Sequence, residues 1–333
     1  MVWITGTAAD FDDLFSQFVS HITTNATLTN DGQNWSQAWN VGDEYVFTGP
    51  GLAGTDTICV GIKKVKDTAA GRFEWELRGM SHVNAQATTL TGHGNPMPEK
   101  VRILLHDASM DYWLAVNGRR FVLVVKVSSY YEAAYGGFFL PFLPPAEYPY
   151  PLYVGGASGD FDGGYYTTQA PEKWSDDVEG HILFPFSRWR TDYGAYYKSS
   201  AHVVHVDGSW IRVDSSADND DFAGSIFTWP WAHGQNNGST SYTYQGDGTD
   251  YPRAPWIRAK CRGPLGGSAI TGWPCMLAKA DATAVLGQLD GVFLVTSDGI
   301  SAEGTANIDG KNCIVFPNVW RSGPFDLWAL EQA

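Results

Sequence analysis

The 333-residue sequence is poor in positive charge and in cysteine, and it has no long uninterrupted hydrophobic run. It carries 22 lysines and arginines against 36 aspartates and glutamates, a formal net charge of -14. Because nucleic-acid binding needs clustered cations, nucleic acid is not an expected partner. The longest uncharged apolar stretch, residues 133–146, is interrupted by glycines and prolines and is shorter than the ~20 residues of a membrane-spanning helix. Membrane insertion is therefore not expected.

The four cysteines show no metal-binding pattern. Cys59, Cys261, Cys275 and Cys313 form no Cys-x-x-Cys pair, and no histidines stand at zinc-finger spacing, so neither a metal nor another cofactor is expected. Cys59 and Cys313 lie inside apolar runs typical of strands, which predicts small buried thiols. Whether Cys261 pairs with Cys275 stays open. The sequence also lacks a basic segment followed by an apolar one at its start, so we expect no signal peptide.

One helix is predicted near the start of the chain. Its apolar residues repeat at intervals of three and four and form one stripe, made of Phe11, Leu14, Phe15, Phe18, Val19 and Ile22. Asp10 is the expected N-cap, and Asp12 and Asp13 fall in the first turn, where carboxylates meet the positive end of the helix dipole. The stripe is interpreted as core packing.

Strand patterns follow the helix. Residues 72–78 alternate between charged and apolar side chains, which predicts a half-exposed strand that pairs with residues 57–66. Asn117-Gly118 separates two apolar arms and predicts a hairpin with a type I′ turn. Residues 121–125 are apolar on both faces, so this arm belongs in the middle of a sheet covered on both sides. Further hairpins are expected at Asp207-Gly208 and before Lys311.

Between these hairpins, residues 136–157 are rich in proline and aromatic residues, which predicts a stiff extended connector. We therefore expect a mostly β, α+β fold in three parts. Residues 1–135 form an N-terminal α+β domain with one amphipathic helix and antiparallel hairpins, and residues 136–157 form the connector. Residues 158–333 form an all-β domain, either a sandwich or an irregular barrel.

No catalytic template fits the sequence. His202 and His205 are three apart on a predicted strand, so their side chains point to opposite faces and cannot share a metal. An acidic cluster at residues 214–221 lacks the glycine and the glutamate of a calcium loop. Glu74 and Glu76 resemble a glycosidase carboxylate pair, but alternation explains them as the polar face of a strand. A non-enzymatic protein is expected.

Aromatic residues are unusually numerous, with 14 tryptophans, 16 tyrosines and 17 phenylalanines. Trp229, Trp231, Tyr242 and Tyr244 lie near amide side chains, as in glycan-binding surfaces. The alternative, which we favour, is that large aromatic residues fill interiors and subunit interfaces. The candidate interface residues lie on the proline-rich connector, where they cannot form a core of their own, so they either clamp the two domains of one subunit together or meet another subunit: Phe138, Phe139, Phe142, Tyr148, Tyr150 and Tyr153.

Several segments resemble a family of virion proteins of tailed bacteriophages, described as tail or virion structural proteins. The resemblance is carried by NGRRFVLVVKVSSYYEAAY at 117–135, FLPF at 139–142 and YPYPLYVGG at 148–156. It extends to GPGLAGTD at 49–56, FEWELRG at 73–79 and LDGVF at 289–293, and it is weakest between about 160 and 285.

The resemblance implies a non-enzymatic structural component of a phage tail, made in the host cytoplasm and carried in the virion. The expected position is the baseplate or tail tip, and the expected partners are other tail subunits and copies of the same chain. A neck, collar or tail-completion protein and an adhesin that binds host surface glycan are the alternatives. No catalytic residue is carried over from the family.

Overall fold

The structure is a computed structural model that describes residues 1–156, 201–213, 226–229, 271–279, 285–296, 300–317 and 327–332. Strands dominate these residues, and the helices lie near the start of the chain. The prediction of a mostly β, α+β fold is confirmed.

The described elements up to residue 105 are one strand, two helices and a run of antiparallel strands. They are β1 (Val2–Ala8), α1 (Phe11–Thr24), α2 (Ala26–Asn30), β2 (Ser36–Val41), β3 (Glu44–Gly49), β4 (Ile58–Asp67), β5 (Arg72–Met80), a 3-10 turn (Leu90–Gly92) and β6 (Val101–Leu105). Strands β2 to β6 form a five-stranded sheet in chain order, which we call the N-terminal sheet.

The next strands run to residue 212. They are β7 (Met110–Val116), β8 (Arg120–Val127), β9 (Tyr130–Phe138), β10 (Leu140–Pro141), β11 (Leu152–Gly156), β12 (Ala201–Val204) and β13 (Trp210–Arg212). All of them except β10 join β1 in a seven-stranded antiparallel sheet with the order β1-β7-β8-β9-β11-β12-β13, which we call the central sheet.

The remaining described elements are strands. They are β14 (Ile226–Trp229), β15 (Thr271–Lys279), β16 (Val285–Thr296), β17 (Thr305–Ile308), β18 (Lys311–Pro317) and β19 (Leu327–Glu331). They form the C-terminal sheet, with the order β14-β15-β16-β19-β18-β17, and β10 pairs with β16.

Helix α1 begins and packs as its sequence predicts. The Asp10 carboxylate accepts hydrogen bonds from the backbone N–H groups of Asp12 and Asp13, at 2.9 and 2.8 Å, which satisfies two donors of the first turn. The apolar stripe is buried, except that Val19 is only partly so. The stripe packs in the same core as the apolar residues between the N-terminal and central sheets.

Strand β8 lies near the middle of the central sheet, between β7 and β9. Phe121, Leu123 and Val125 belong to the core shared with α1 and the N-terminal sheet. Val122 and Val124 belong to the core shared with the C-terminal sheet. The prediction that this strand is covered on both faces is confirmed, and the described fold therefore has three β layers.

Within the described residues 136–156, the expected stiff connector is partly built into the central sheet, which corrects the expectation of a domain boundary there. Strand β9 runs through Gly136 and Gly137 to Phe138, and β11 pairs along its whole length with residues 134–138 of β9. The central sheet thus takes strands from both sides of the expected boundary. Of the prolines in this segment, Pro141 lies in the two-residue strand β10 and the others lie outside the strands. Strands β9 and β11 contain no proline, so none of their backbone donors is missing.

Two of the predicted hairpins have the expected turns. Strands β12 and β13 meet around Asp207-Gly208, where Gly208 has a φ of 83°. Strands β17 and β18 meet at Asp309-Gly310, with φ values of 52° and 82°. Positive φ at both Asp309 and Gly310 is the type I′ geometry that suits a two-residue hairpin loop, whereas only the glycine has positive φ at Asp207-Gly208.

Candidate functional site

Most of the predicted interface aromatics pack inside the chain. Phe138 and Tyr150 contact each other at 4.9 Å between ring centroids, beside the core of the N-terminal and central sheets. Three others are buried in the core between the central and C-terminal sheets: Phe139, Tyr148 and Tyr153. Only Phe142 is exposed, with 57% of its surface accessible. For the five residues that pack inside the chain the structure favours the internal clamp, because they fill or flank the cores on either side of the central sheet. For Phe142 a subunit interface stays a prediction.

The predicted glycan surface lies outside the described residues for Trp231, Tyr242 and Tyr244. Trp229 ends β14, but its side chain is also outside the description. The acidic cluster at 214–221 lies outside the described residues as well. The glycan alternative therefore stays a prediction.

Two of the four cysteines are described as free buried thiols, as predicted. Burial raises the pKa of Cys59 to about 11 and that of Cys313 to about 12. Both side chains are therefore neutral near pH 7 and act as small apolar groups. Cys261 and the side chain of Cys275 lie outside the described residues.

Glu74 and Glu76 do not form an exposed polar face, which corrects the prediction of a half-exposed strand. They are 2% and 8% exposed. The Arg72 guanidinium contacts both carboxylates. Lys100 Nζ lies 2.7 Å from Glu76, and Arg102 Nη1 lies 3.5 Å from Glu74. Three cations therefore hold the two carboxylates and connect β5 to the chain at β6. The alternating pattern of the sequence did not indicate these ion pairs.

The turn between β7 and β8 is closed by an asparagine side chain. Asn117 Oδ1 accepts the backbone N–H groups of Arg119 and Arg120 at 2.8 and 3.0 Å, and Asn117 N–H donates to the Arg120 carbonyl at 3.0 Å. Neither Asn117 nor Gly118 has a positive φ. The predicted hairpin is present, but the prediction of a type I′ turn is wrong. The Asn117 side chain accepts the backbone N–H groups of the turn, which closes it without positive φ.

Loop 49–56 packs against this turn. Gly51 N–H donates to the Gly118 carbonyl at 2.8 Å, and the Trp35 indole N–H donates to the Asn117 carbonyl at 2.8 Å. The approach is close, since a Cβ on Gly118 would lie 2.2 Å from the Gly51 carbonyl oxygen. Gly118 is therefore required by backbone contact, and the turn joins the N-terminal sheet to the central sheet.

A buried arginine connects the same turn to the C-terminal sheet. Arg120 is fully buried, and its Nη1 donates to the Ala115 carbonyl at 2.9 Å. Its Nε lies 3.4 Å from Asp290 Oδ2, and Asn117 Nδ2 donates to the same oxygen at 3.3 Å. Gly291, at a φ of 71°, leaves room for the guanidinium, because a Cβ there would lie 2.6 Å from Arg120 Nη2.

The hydroxyl of Tyr135 completes this connection. It donates to the Phe138 carbonyl at 2.9 Å and accepts the Asp290 N–H at 3.4 Å. Burial, with a smaller contribution from Asp290, raises the pKa of Tyr135 well above its ordinary value, so the phenol stays protonated as a donor. We call this set of residues the junction: Gly51, Asn117, Gly118, Arg120, Tyr135 and Asp290.

The junction brings all three sheets to one place, and sequence reasoning missed it. Arg120 and Asp290 are far apart in the chain, and no spacing rule connects them. The segments 49–56, 117–135 and 289–293, which supply the junction residues, are among those on which the expected resemblance rests. Chemically, Arg120 is held by the Ala115 carbonyl and lies within ion-pair distance of Asp290, and Asn117 bonds to backbone and to Asp290, which suits a structural connection.

A second ordered feature is loop 81–97, which covers part of the outer face of the N-terminal sheet. His93 is 5% exposed, and its Nδ1 accepts the Asn84 backbone N–H at 3.0 Å. Leu90 N–H donates to Glu44 on β3 at 2.6 Å, and the Trp39 indole N–H donates to the Ala87 carbonyl at 3.1 Å. Because a backbone N–H can only donate, His93 must be neutral at Nδ1 for the loop to hold this form.

We expect the loop to lose protection as the pH falls. Burial lowers the pKa of His93, with a raising effect from Glu44 and a lowering effect from His82. Since the folded-state pKa is depressed, the neutral histidine stabilises the loop fully above the ordinary pKa of ~6.5, and this is lost as pH falls through the lowered value. Hydrogen-exchange protection of residues 82–94 should fall by up to about tenfold per pH unit in that window.

The matched control is His93→Asn, whose side-chain oxygen can accept the same N–H but does not titrate. In this variant the protection of the loop should not change across the same pH range. Equal pH dependence in both proteins would contradict the assignment to His93.

Within the described residues, no group of three or more histidine, cysteine or acidic side chains is placed to hold a metal ion. His202 lies at 0% exposure on β12, and His205 follows the end of that strand. The helices of the described part are all too short or too polar to cross a membrane. No protein-family model matches the chain, and no curated protein matches it.

Proposed function

We propose that the chain is a non-enzymatic structural subunit of a bacteriophage tail, with the baseplate or tail tip as its position. The observation that carries the proposal is the convergence of the resembling segments. Residues 49–56, 117–135 and 289–293 are dispersed along the sequence, yet they supply the contacts that join the three sheets at the junction. A shared sequence pattern that builds the frame of the fold supports a shared architecture.

The use of polar groups also favours a structural role. Arg120, Asp290, Glu74 and Glu76 are bound to neighbouring side chains or carbonyls within the chain. Buried charges of this kind are costly unless fully paired, and pairing fixes the geometry of the elements that carry them. A subunit that transmits load between neighbours needs such rigid connections between its layers.

The test is to find the chain in assembled particles. A phage encoding the chain with a small epitope tag is purified by density gradient, and antibody-gold labelling locates the tag by electron microscopy. We expect gold at the distal end of the tail and a fixed copy number per particle by quantitative mass spectrometry. Labelling at the neck would support the neck alternative, and tag found only in the lysate would contradict the structural role.

A further inference from the structure

The six edge strands of the described sheets differ in how they are protected. Strand β2 has a bulge between Gln37 and Trp39, and the edge of β6 is occupied because Glu132 accepts the Leu104 N–H at 3.1 Å. Within the described residues, strands β13, β14 and β17 have three or four residues each. Bulges, cover and short length are the usual means by which proteins prevent edge-to-edge pairing.

Strand β1 has none of these protections. It has seven residues and pairs in unbroken register with β7. It contains no charged residue and no proline, and within the described part of the chain its second edge pairs with no strand. Gln17 Nε2 reaches the Thr7 carbonyl at 3.4 Å, which is a long and weak hydrogen bond. The edge is therefore open to another strand.

The two faces of β1 are chemically distinct. Val2 and Ile4 pack beside the core of the N-terminal and central sheets, whereas Trp3 packs beside the core of the C-terminal sheet. Thr5 and Thr7 are exposed. A partner strand must therefore place small or apolar side chains opposite these residues on both faces at once.

We propose that β1 pairs antiparallel with β1 of a second copy of this chain, about a two-fold axis at Thr5. In this register every large residue faces a small one on the same face of the sheet. The pairs across the axis are Val2 with Ala8, Ile4 with Gly6, and Trp3 with Thr7. The two Thr5 side chains then lie directly opposite each other, a pair that stabilises antiparallel strands.

The occupant is a second copy because the strand is self-complementary in size and carries no charge. Antiparallel pairing of β1 with itself brings no like charges together, which is the usual barrier to joining two identical edges. The axis is perpendicular to the sheet, so the two seven-stranded central sheets become one continuous sheet with their equivalent faces on the same side.

Self-association of the purified full chain tests the proposal. By light scattering after size exclusion, the wild-type protein should have twice the chain mass of 36.5 kDa. Thr5→Lys puts two like charges across the axis and should give the monomer mass with an unchanged far-ultraviolet circular dichroism spectrum. The matched control, Ala38→Lys, adds the same charge to an exposed position on edge strand β2 and should remain dimeric. A monomeric wild-type protein, or a dimeric Thr5→Lys variant, overturns the proposal.

Cysteine crosslinking tests the register. Opposite residues of an antiparallel pair have Cβ atoms about 4.5–5.5 Å apart, so Thr5→Cys should form an intermolecular disulfide under mild oxidation. Two copies of residue 7 would lie about 13 Å apart in this register, so Thr7→Cys should not crosslink with itself. Efficient crosslinking of Thr7→Cys, or none of Thr5→Cys, contradicts the register.

This inference deepens the proposed assembly role but rests on the strand alone. Purified protein that dimerises through β1 while the tag is missing from particles would sustain the inference and sink the tail proposal. A monomer that is nevertheless found in the tail would do the reverse.

Discussion

Replacing Arg120 with methionine will lower the free energy of unfolding by about 3 kcal/mol, the lower end of the range for breaking a buried ion pair, because Asp290 keeps 17% of its side chain exposed. The guanidinium is fully buried and contacts Asp290 from the C-terminal sheet and the Ala115 carbonyl from β7. Methionine fills a similar volume but leaves Asp290 without its cation. The measurement is equilibrium urea unfolding, followed by tryptophan fluorescence.

Arg119→Met is the matched control, because Arg119 is the adjacent arginine on the same turn and is only partly buried. We expect its effect to stay within about 0.5 kcal/mol, as for most surface substitutions. A double-mutant cycle with Asp290→Asn separates the ion pair from general packing. If Arg120→Met costs no more than Arg119→Met, Arg120 does not hold the sheets together.

The junction shows which parts of this fold local sequence rules can reach. Helix α1 and strand β8 were predictable because the pattern of each shows which of its faces are buried. The apolar stripe of α1 indicates one buried face, and the continuous apolar run of β8 indicates two. The Asp309-Gly310 turn was predictable because a two-residue hairpin loop depends on its own φ angles. The bond between Arg120 and Asp290 was not, since it depends on how two sheets stack.

The buried carboxylates of β5 show the limit in a second way. Alternation placed Glu74 and Glu76 on the face opposite Trp75, and the structure agrees on that point, since Trp75 lies in the core between the N-terminal and central sheets. Alternation does not say whether the other face meets water. The cations that neutralise the two carboxylates come from Arg72, from Lys100 just before β6 and from Arg102 on β6, whose pairing with β5 the sequence did not predict.

The same limit explains why Asn117-Gly118 was assigned the wrong turn. The dipeptide is the strongest short signal for type I′, but here the Asn117 side chain accepts two backbone N–H groups and loop 49–56 presses on Gly118. A type I′ turn and a close backbone contact at Gly118 predict different effects for substitutions of this residue. In a type I′ turn, asparagine at the second position is tolerated because it accepts positive φ, whereas β-branched residues are not. Under backbone contact, any side chain is rejected.

Gly118→Ala and Gly118→Asn will therefore both destabilise the protein, by about 1–3 kcal/mol as for other overpacked sites. A Cβ at Gly118 would lie 2.2 Å from the Gly51 carbonyl oxygen, so loop 49–56 must move and the hydrogen bond between Gly51 and Gly118 must break. Urea unfolding measures the loss. Gly42→Ala is the comparison, because Gly42 has a φ of 59° and open space around it, and it reports the cost, about 1 kcal/mol, that positive φ alone would impose on alanine in a type I′ turn. If Gly118→Asn has wild-type stability, the turn is of type I′ after all. The contact between loop 49–56 and the hairpin is then not the reason why residue 118 is glycine.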